Sequence, residues 1–176
     1  MPDDRPREVP SEPAEPWRSF LHDLDNSLTG TVELHCLGGF VVAQQYGAGR
    51  ETSDIDFLAA VVGSPAEDPE RLAGVGSALH RKHRLYMQRV SVVTAPCDYQ
   101  HRLVRMFPSA PWQHLRLLAL DPTDLALSKL ERNTDRDRED FLRLTRAGLV
   151  EIGSFEARYL EELRPYLVAN QEWHDR

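Results

Sequence analysis

The stretch LGGFVVAQQYGAGRETSDIDF, residues 37–57, most constrains what this chain can fold into and bind. It connects two apolar segments that are typical of buried strands. Gly38 and Gly39 follow the first segment, and Asp54 and Asp56 open the second. Either motif alone is weak evidence. Together, and each beside a predicted strand, they indicate a nucleotide site.

The two aspartates are separated by one apolar residue, Ile55, and are followed by Phe57. Side chains alternate across a strand, so Ile55 and Phe57 are expected in the core while both aspartates emerge on the opposite face. Two neighbouring carboxylates repel each other unless a cation compensates their charge. We therefore predict that Asp54 and Asp56 bind Mg²⁺ or Mn²⁺.

The two glycines supply the other part of a nucleotide site. Because Gly38 and Gly39 lack Cβ atoms, the backbone can turn tightly and a phosphate can approach its N–H groups. Residues 40–46 read as a helix, and the first N–H groups of a helix have no intrahelical partner and carry partial positive charge. A triphosphate is therefore expected between the glycines and a metal ion on the aspartates.

These motifs resemble those of the DNA polymerase β-like nucleotidyltransferase superfamily, whose signature is a hydrophobic-Gly-Gly/Ser turn followed by an Asp-x-Asp/Glu strand. The pattern R-x-T-x-D-I-D-F, which begins at Arg50, is closer still to the AbiE-type toxins and related small bacterial nucleotidyltransferases. The resemblance covers roughly residues 33–150. It implies a small mixed sheet flanked by helices, an NTP substrate and Mg²⁺ or Mn²⁺. It also implies nucleotide binding by Gly38, Gly39, Arg50 and Thr52.

A second, charge-rich motif lies at residues 124–141, DLALSKLERNTDRDREDF. As a nearly continuous helix, it would place Lys129, Arg132, Arg136 and Asp140 on one face. A helix of this composition is commonly just a solvated surface. The order Lys-x-x-Arg followed by Arg-Asp-x-x-Asp is nevertheless similar to the carboxy-terminal motif of the AbiE-type toxins.

By that resemblance, Lys129 would neutralise a phosphate as a point charge, and Arg132 or Arg136 would offer bidentate contacts. Asp137 and Asp140 would orient these basic groups, or help to hold a metal ion or the acceptor. A helix-surface ion pair with Arg136 or Arg143 is the alternative for both aspartates, and it stays open.

The chain departs from the family pattern in one respect. Many active members carry a third carboxylate on the strand that follows Asp-x-Asp, where it can act as a general base. The corresponding segment here, HRLYMQRVSVVTAP, contains no acid. Asp98 follows this segment and is one candidate for the role, and the later aspartates of the second motif are the other.

Composition narrows the class of protein. A chain of 176 residues suits one domain. The formal net charge of −7 argues against broad, non-specific nucleic-acid binding, although it leaves room for a local basic groove.

No apolar run approaches a membrane span and no signal peptide is recognisable. We expect no membrane association and a cytoplasmic location, with Cys36 and Cys97 as small buried residues rather than disulfide partners.

Alternating strand and helix patterns predict an α/β fold. Residues 1–16 are rich in proline and are predicted to be a disordered tail. Residues 17–150 are predicted to form the nucleotidyltransferase core and 151–176 a C-terminal helical extension. The predicted strands are 31–37, 55–62, 85–94 and 114–120. The predicted helices are 17–28, 40–46, 70–83, 99–107, 122–133, 135–147 and 154–163.

The sequence therefore predicts a metal-dependent nucleotidyltransferase that moves an NMP from an NTP to a hydroxyl acceptor with loss of pyrophosphate. The predicted catalytic residues are Asp54, Asp56, Lys129 and Asp140. By resemblance, the acceptor is RNA, such as a tRNA end, or a protein, and the setting is a toxin–antitoxin or phage-defence system with a cognate antitoxin as partner. Two alternatives stay open: a fold member that binds nucleotide or a partner without catalysis, and an antibiotic-type nucleotidyltransferase with a small-molecule acceptor.

Overall fold

The computed structural model describes residues 10–91, 94–130, 134–167 and 171. Over these residues the chain forms an α/β fold, a five-stranded mixed sheet flanked by helices, as predicted. The strands are β1 (Val32–Leu37), β2 (Asp54–Val61), β3 (Tyr86–Arg89), β4 (Val104–Arg105) and β5 (Leu115–Ala119). The α-helices are α1 (Trp17–Ser27), α2 (Gly38–Gln44), α3 (Pro69–Ala73), α4 (Ala78–His83), α5 (Pro122–Leu127), α6 (Asp135–Arg146) and α7 (Ile152–Arg158).

Strand β1 lies at the centre of the sheet, whose order is β3-β2-β1-β5-β4. It runs antiparallel to β2 and parallel to β5, while β3 is parallel to β2. Five of the six residues of β1 are buried, including His35, and only Glu33 is partly exposed. The carboxyl ends of β1 and β5 and the amino ends of β2 and β3 therefore meet at one edge of the sheet.

The helices bury their apolar faces in one main core with the sheet. Trp17 and Phe20 of α1 are buried there with Phe40 of α2 and Phe57 of β2. The rings of Trp17 and Phe40 meet edge to face with centroids 4.7 Å apart. This contact joins α1 to the helix that follows the glycine turn.

The predicted helix 70–83 is wrong as a single element, because the chain forms α3 and α4 instead. Gly74 ends α3 with an extended conformation, and its N–H donates to the Glu70 carbonyl at 2.8 Å. Ser77 then begins α4, with its hydroxyl accepting from the His80 N–H. Two glycines between the helices weaken the helix enough for the chain to turn.

The predicted helix 99–107 is also wrong. Only Tyr99–Arg102 is helical, as a 3₁₀ turn, and the next residues form β4, which pairs with β5. Met106 and Phe107 are buried in the core, so tertiary packing outweighs the local helical pattern. The third strand is shorter than predicted: β3 ends at Arg89, and residues 92–93 of the prediction lie outside the described residues.

Residues 10–16 of the predicted tail are among the described residues and contact the core. Pro13 is buried, and the Ser11 carbonyl accepts a hydrogen bond from the Ser109 N–H at 3.0 Å. Burial of the apolar surface of Pro13 and this backbone hydrogen bond offset the conformational entropy that residues 10–16 lose on ordering. Residues 1–9 lie outside the described residues.

The C-terminal segment packs on the core rather than projecting from it. Helix α7 begins at Ile152, earlier than predicted, because the Glu151 carboxylate accepts from the first N–H groups. The segment continues as a π-helical turn to Leu163. Leu163 and Leu167 are buried against Leu127 of α5.

An ionic network fastens this segment to the start of α5. Asp124 is completely buried and accepts hydrogen bonds from Arg102, at 2.8 and 3.1 Å, and from Arg158, at 3.0 Å. Burial raises the pKa of Asp124, and the guanidinium groups oppose that rise. Arg158 also pairs with Asp121, and Arg102 with Glu162.

No helix among the described residues is both long enough and apolar enough to cross a membrane.

Cys36 is buried in β1, as predicted. Cys97 is exposed, so the prediction that it is buried is wrong.

Asp25, at the end of α1, holds the start of β5. Its buried carboxylate accepts hydrogen bonds from the backbone N–H groups of Gln113, His114 and Leu115, at 3.0, 2.8 and 2.8 Å. We expect Asp25→Ala to lower the free energy of unfolding by about 2–4 kcal/mol, because these N–H groups lose a charged acceptor. Chemical denaturation measures the change, with exposed Glu161→Ala as a control that should stay within about 0.5 kcal/mol. An equally stable Asp25→Ala protein would contradict this role.

Candidate active site

A cleft of about 610 Å³ opens where β1 ends and β2 begins. In the antiparallel register Leu37 is paired with Asp56, so Gly38 lies beside that aspartate. Gly38 has a φ of +77°, and a Cβ atom there would lie 2.5 Å from Asp56 Oδ2. A Cβ atom on Gly39 would lie 3.7 Å from Thr52, an ordinary contact. Residue 38 therefore requires glycine, whereas residue 39 does not.

Strand β2 presents its two aspartates to the cleft. Ile55 and Phe57 are fully buried, while Asp54 and Asp56 are half-buried and line the cleft together. The alternation expected from the sequence D-I-D-F is therefore present. Metal binding by the two carboxylates stays a prediction.

Two neighbouring residues flank the Asp54 carboxylate. The Thr52 hydroxyl donates to Asp54 Oδ1. Tyr86 is the register partner of Asp54 on β3. Burial, followed by the negative charges of Asp54 and Asp56, raises the pKa of Tyr86. The phenol therefore stays protonated at neutral pH and can donate a hydrogen bond.

The start of α6 forms a second wall of the cleft. Thr134 and Asp137 make a capping box: Asp137 Oδ2 accepts from the Thr134 N–H at 3.1 Å and hydroxyl at 2.6 Å, and Thr134 Oγ1 accepts from the Asp137 N–H at 3.3 Å. These contacts fix where the helix begins. Five residues of this region line the cleft: Thr134, Asp135, Arg136, Asp137 and Asp140.

Lys129 reaches the cleft from the turn that follows α5. Its side chain is only 6% exposed, and its Nζ lies 2.8 Å from Asp140 Oδ2 and 3.8 Å from Asp137 Oδ1. The two carboxylates are also almost fully buried. The ammonium thus has the partners that a buried charge requires, and they hold it at the cleft.

The predicted restart of a helix at residue 135 is confirmed, so the nearly continuous helix expected to place the charges of the second motif on one face is wrong. Helix α5 ends at Leu127, and α6 starts only after its cap at Thr134, so Lys129 and Asp140 meet across the turn between two helices. Asp137 and Asp140 are buried and face Lys129, so the alternative of a helix-surface ion pair with Arg136 or Arg143 is wrong. The cause is the capping box, which starts a new helix where the charge pattern suggested a continuous one.

Carboxylates outnumber cationic groups among the described residues of the cleft. The carboxylates belong to Asp54, Asp56, Asp135, Asp137 and Asp140, and the cationic groups belong to Arg50, Lys129 and Arg136. Arg50 and Arg136 have no hydrogen-bond or ion-pair partner among the described residues, unlike Lys129. The excess of carboxylates favours a bound cation, and the two unpaired guanidinium groups suit phosphate oxygens.

One predicted site residue, Arg132, lies outside the described residues, and another is placed away from the cleft. Asp98 precedes the 3₁₀ turn Tyr99–Arg102 and lies with Cys97 and Glu162, away from the described residues that line the cleft. The structure thus does not offer Asp98 as the missing third carboxylate.

The strand beside Asp-x-Asp carries no acid at the cleft edge. Gln88 is the register partner of Asp56, and Tyr86 that of Asp54. The additional carboxylates come instead from α6, of which Asp135 is the most exposed.

Sequence reasoning missed three residues here: Thr134, Asp135 and Tyr86. The Thr-x-x-Asp spacing at 134–137 identified a helix start but could not place that start at the cleft. Tyr86 lies beside Asp54 because of the register between β3 and β2, which no local pattern specifies.

A mixed sheet whose glycine turn and Asp-x-Asp strand border one cleft points to the nucleotidyltransferase class. A family model described as "Nucleotidyltransferase of unknown function (DUF6036)" matches residues 22–175, and the chain belongs to that family. The predicted class is therefore confirmed at the level of the family. No curated protein and no solved structure matches the chain.

Gly38 and Gly39 provide a matched pair of substitutions. We expect Gly38→Ala to lower the free energy of unfolding by about 1–2 kcal/mol, because alanine disfavours a left-handed backbone and its Cβ would press on Asp56. Gly39→Ala should stay within about 0.5 kcal/mol of the parent protein. Thermal or chemical unfolding of both variants measures the difference. Equal stabilities would mean that Gly38 is not held against Asp56.

Lys129 and Arg136 offer a second comparison, since both are cationic and line the cleft. We expect Lys129→Met to lower the free energy of unfolding by about 3–5 kcal/mol, because Asp137 and Asp140 would remain buried without their cation. Arg136→Met should change it by no more than about 0.5 kcal/mol, since Arg136 is exposed and has no partner among the described residues. Chemical denaturation near neutral pH measures both. A Lys129→Met protein of parental stability would contradict the buried ion pair.

Proposed function

We propose that the protein is a metal-dependent nucleotidyltransferase that transfers an NMP from an NTP to a hydroxyl acceptor and releases pyrophosphate. The observation that supports this is convergence on one cleft. The glycine turn, the Asp-x-Asp strand and the Lys129–α6 region come from distant parts of the chain and line it together. Its volume of about 610 Å³ falls within the range of small-molecule sites, about 300–1,000 Å³.

Asp54 and Asp56 are the residues that would hold Mg²⁺ or Mn²⁺. Carboxylate oxygens are the donors that these hard cations prefer. The missing Cβ atom of Gly38 leaves room beside Oδ2 of Asp56, and carboxylates outnumber cationic groups among the described residues of the cleft. When bound, the ion would stabilise negative charge on the α-phosphate and lower the pKa of the attacking hydroxyl.

The cationic groups of the cleft are assigned to the phosphates. Arg50 and Arg136 are free to make bidentate contacts with phosphate oxygens. Lys129 presents a fixed positive charge, with Asp140 as the residue that positions it. The backbone of Gly38 and Gly39 allows close approach of a phosphate. These charges are in place before reaction, so they stabilise the charge that develops on pyrophosphate.

In the proposed reaction the acceptor oxygen attacks the α-phosphorus of the NTP. The bond from that phosphorus to the bridging oxygen of pyrophosphate breaks, and pyrophosphate leaves. The acceptor proton passes to a carboxylate of the cleft. Positioning of the two reactants and charge stabilisation supply most of the catalysis in this scheme.

The order of the two motifs supports a relationship to the AbiE-type toxins. R-x-T-x-D-I-D-F begins at Arg50, and Arg-Asp-x-x-Asp begins at Arg136. On that basis we propose a toxin–antitoxin or phage-defence setting in the cytoplasm, with a cognate antitoxin as partner. The acceptor would be RNA, such as a tRNA end, or a protein.

One observation favours a second candidate, a fold member that binds nucleotide without transferring it. Gln88 lies beside Asp56, on the strand where many active members carry a third carboxylate. Calorimetry with NTP and Mg²⁺ separates the two candidates when it is combined with a transfer assay. Binding without transfer to any acceptor would favour the second.

We expect Asp54→Asn and Asp56→Asn each to reduce transfer at least about a hundredfold, because each removes one carboxylate from the metal site. Stability should hold or rise slightly, since repulsion between the two carboxylates is relieved. The assay incubates the protein with each α-labelled NTP, Mg²⁺ or Mn²⁺, and a pool of bacterial RNA and protein.

Asp98→Asn is the matched control, because Asp98 lies away from the described cleft residues, and its transfer should equal that of the parent protein. Parental turnover in Asp54→Asn or Asp56→Asn at saturating metal would remove the two-aspartate site from consideration.

A further inference from the structure

A second cavity adjoins the cleft on the side of Tyr86. Its volume is about 590 Å³, and we refer to it as the Tyr86 cavity. It shares four residues with the cleft: Arg50, Thr52, Asp54 and Arg136. Its other described lining residues are Glu51, Ser53 and Tyr86. Among the described residues, the glycine turn, Asp56 and Lys129 border the cleft but not this cavity.

We propose that the Tyr86 cavity is the acceptor site and that it binds the hydroxyl-bearing end of a single-stranded nucleic acid. This inference rests on the proposed function, because it assigns the NTP to the cleft. Asp54 lines both cavities, so a hydroxyl group in the Tyr86 cavity lies next to the carboxylate at the reacting centre. Attack in line requires the acceptor and pyrophosphate to lie on opposite sides of the α-phosphorus. Lys129, assigned to the phosphates, lies only on the cleft side.

The lining of the Tyr86 cavity matches the chemistry of a nucleic-acid strand. Arg50 and Arg136 line both cavities, and each guanidinium has five N–H donors, so each can contact a phosphodiester oxygen of the strand as well as the NTP phosphates. Tyr86 offers a partly exposed ring on which a base can stack. His80 meets this ring edge to face with centroids 5.5 Å apart and so limits its movement. Glu51 and Ser53 are exposed hydrogen-bonding groups within reach of a sugar or base edge.

A protein side chain fits this lining less well. Tyr86 is the only aromatic or aliphatic side chain among the described residues that line the cavity, so an apolar peptide segment would find little to pack against. A peptide also brings no phosphate for the two guanidinium groups. With a net charge of −7 on the chain, a nucleic acid has to be held by these local contacts.

Direct binding of an oligonucleotide tests the inference without requiring turnover. The probes are short, fluorescently labelled single strands of RNA and of DNA with a free 3′-hydroxyl, followed by anisotropy without NTP. Tyr86→Ala should weaken binding about tenfold or more, the effect of losing one base–aromatic stack. Tyr86→Phe keeps the ring and should stay within about threefold of the parent protein. Tyr166→Ala, an exposed tyrosine on the C-terminal segment, is the control and should bind as the parent does.

Glu51→Lys should change oligonucleotide affinity in the opposite direction to Tyr86→Ala. It replaces a negative charge in the Tyr86 cavity with a positive one, so oligonucleotide affinity should rise and should depend more steeply on salt concentration. Misfolding cannot mimic a gain of affinity. Tighter binding of RNA than of DNA would assign Glu51 or Ser53 to the 2′-hydroxyl, whereas equal binding would leave stacking and phosphate contacts as the basis.

Calorimetry with NTP and Mg²⁺ on the parent protein separates failure of this inference from failure of the proposed function. If the parent protein binds NTP but its oligonucleotide affinity is unchanged in both Tyr86→Ala and Glu51→Lys, the acceptor site is overturned and the nucleotide site stands. Label transfer to protein with no oligonucleotide binding would overturn it as well. If no NTP binds while both variants shift oligonucleotide affinity as expected, the nucleic-acid site stands and the proposed transfer fails.

Discussion

The pairing of β1 with its two neighbours is the constraint on which the cleft depends. Because β1 and β5 are parallel, the glycine turn after β1 and the segment leading to Lys129 after β5 leave the sheet at the same edge. Because β2 is antiparallel to β1, its first residue, Asp54, lies at that edge too. A register irregularity between His35 and Cys36 precedes the pairing of Leu37 with Asp56. A shift of one residue would turn Asp56 toward the core and Phe57 toward the cleft.

The second wall depends on buried charge. Lys129, Asp137 and Asp140 are among the least exposed charged residues that the structure describes, and the ammonium of Lys129 lies next to both carboxylates. Asp137 contributes twice, since one carboxylate oxygen closes the cap of α6 and the other faces the ammonium. The helix start and the position of the cation are therefore fixed by one side chain. Moving the Lys129 ammonium toward a ligand would cost free energy, because it would separate buried charges. A cation fixed in this way suits a site that stabilises charge by preorganisation.

The sequence was informative where local chemistry decides the outcome. Alternation placed Asp54 and Asp56 correctly, and Asp121 caps α5 as its D-P-T-D sequence predicts. The sequence was misleading where distant contacts decide the outcome. Residues after Arg102 pair with β5 although their pattern suggested a helix, and Lys129 is buried although it lies in a charge-rich motif. Tyr86 could not be found because its place depends on strand register. Long-range pairing and burial leave little trace in a short window of sequence.

Asp124 also bears on where the folded unit ends. Helix α5 contains Asp124 and leads directly to Lys129, while Arg158 and the apolar contacts of Leu163 come from the segment after residue 150. A fragment that ended at residue 150 would leave Asp124 with Arg102 as its one guanidinium partner. It would also expose Leu127, which packs against Leu163 and Leu167. The C-terminal segment thus holds α5, the helix that leads to the cleft lysine, through one buried ion pair and one apolar cluster.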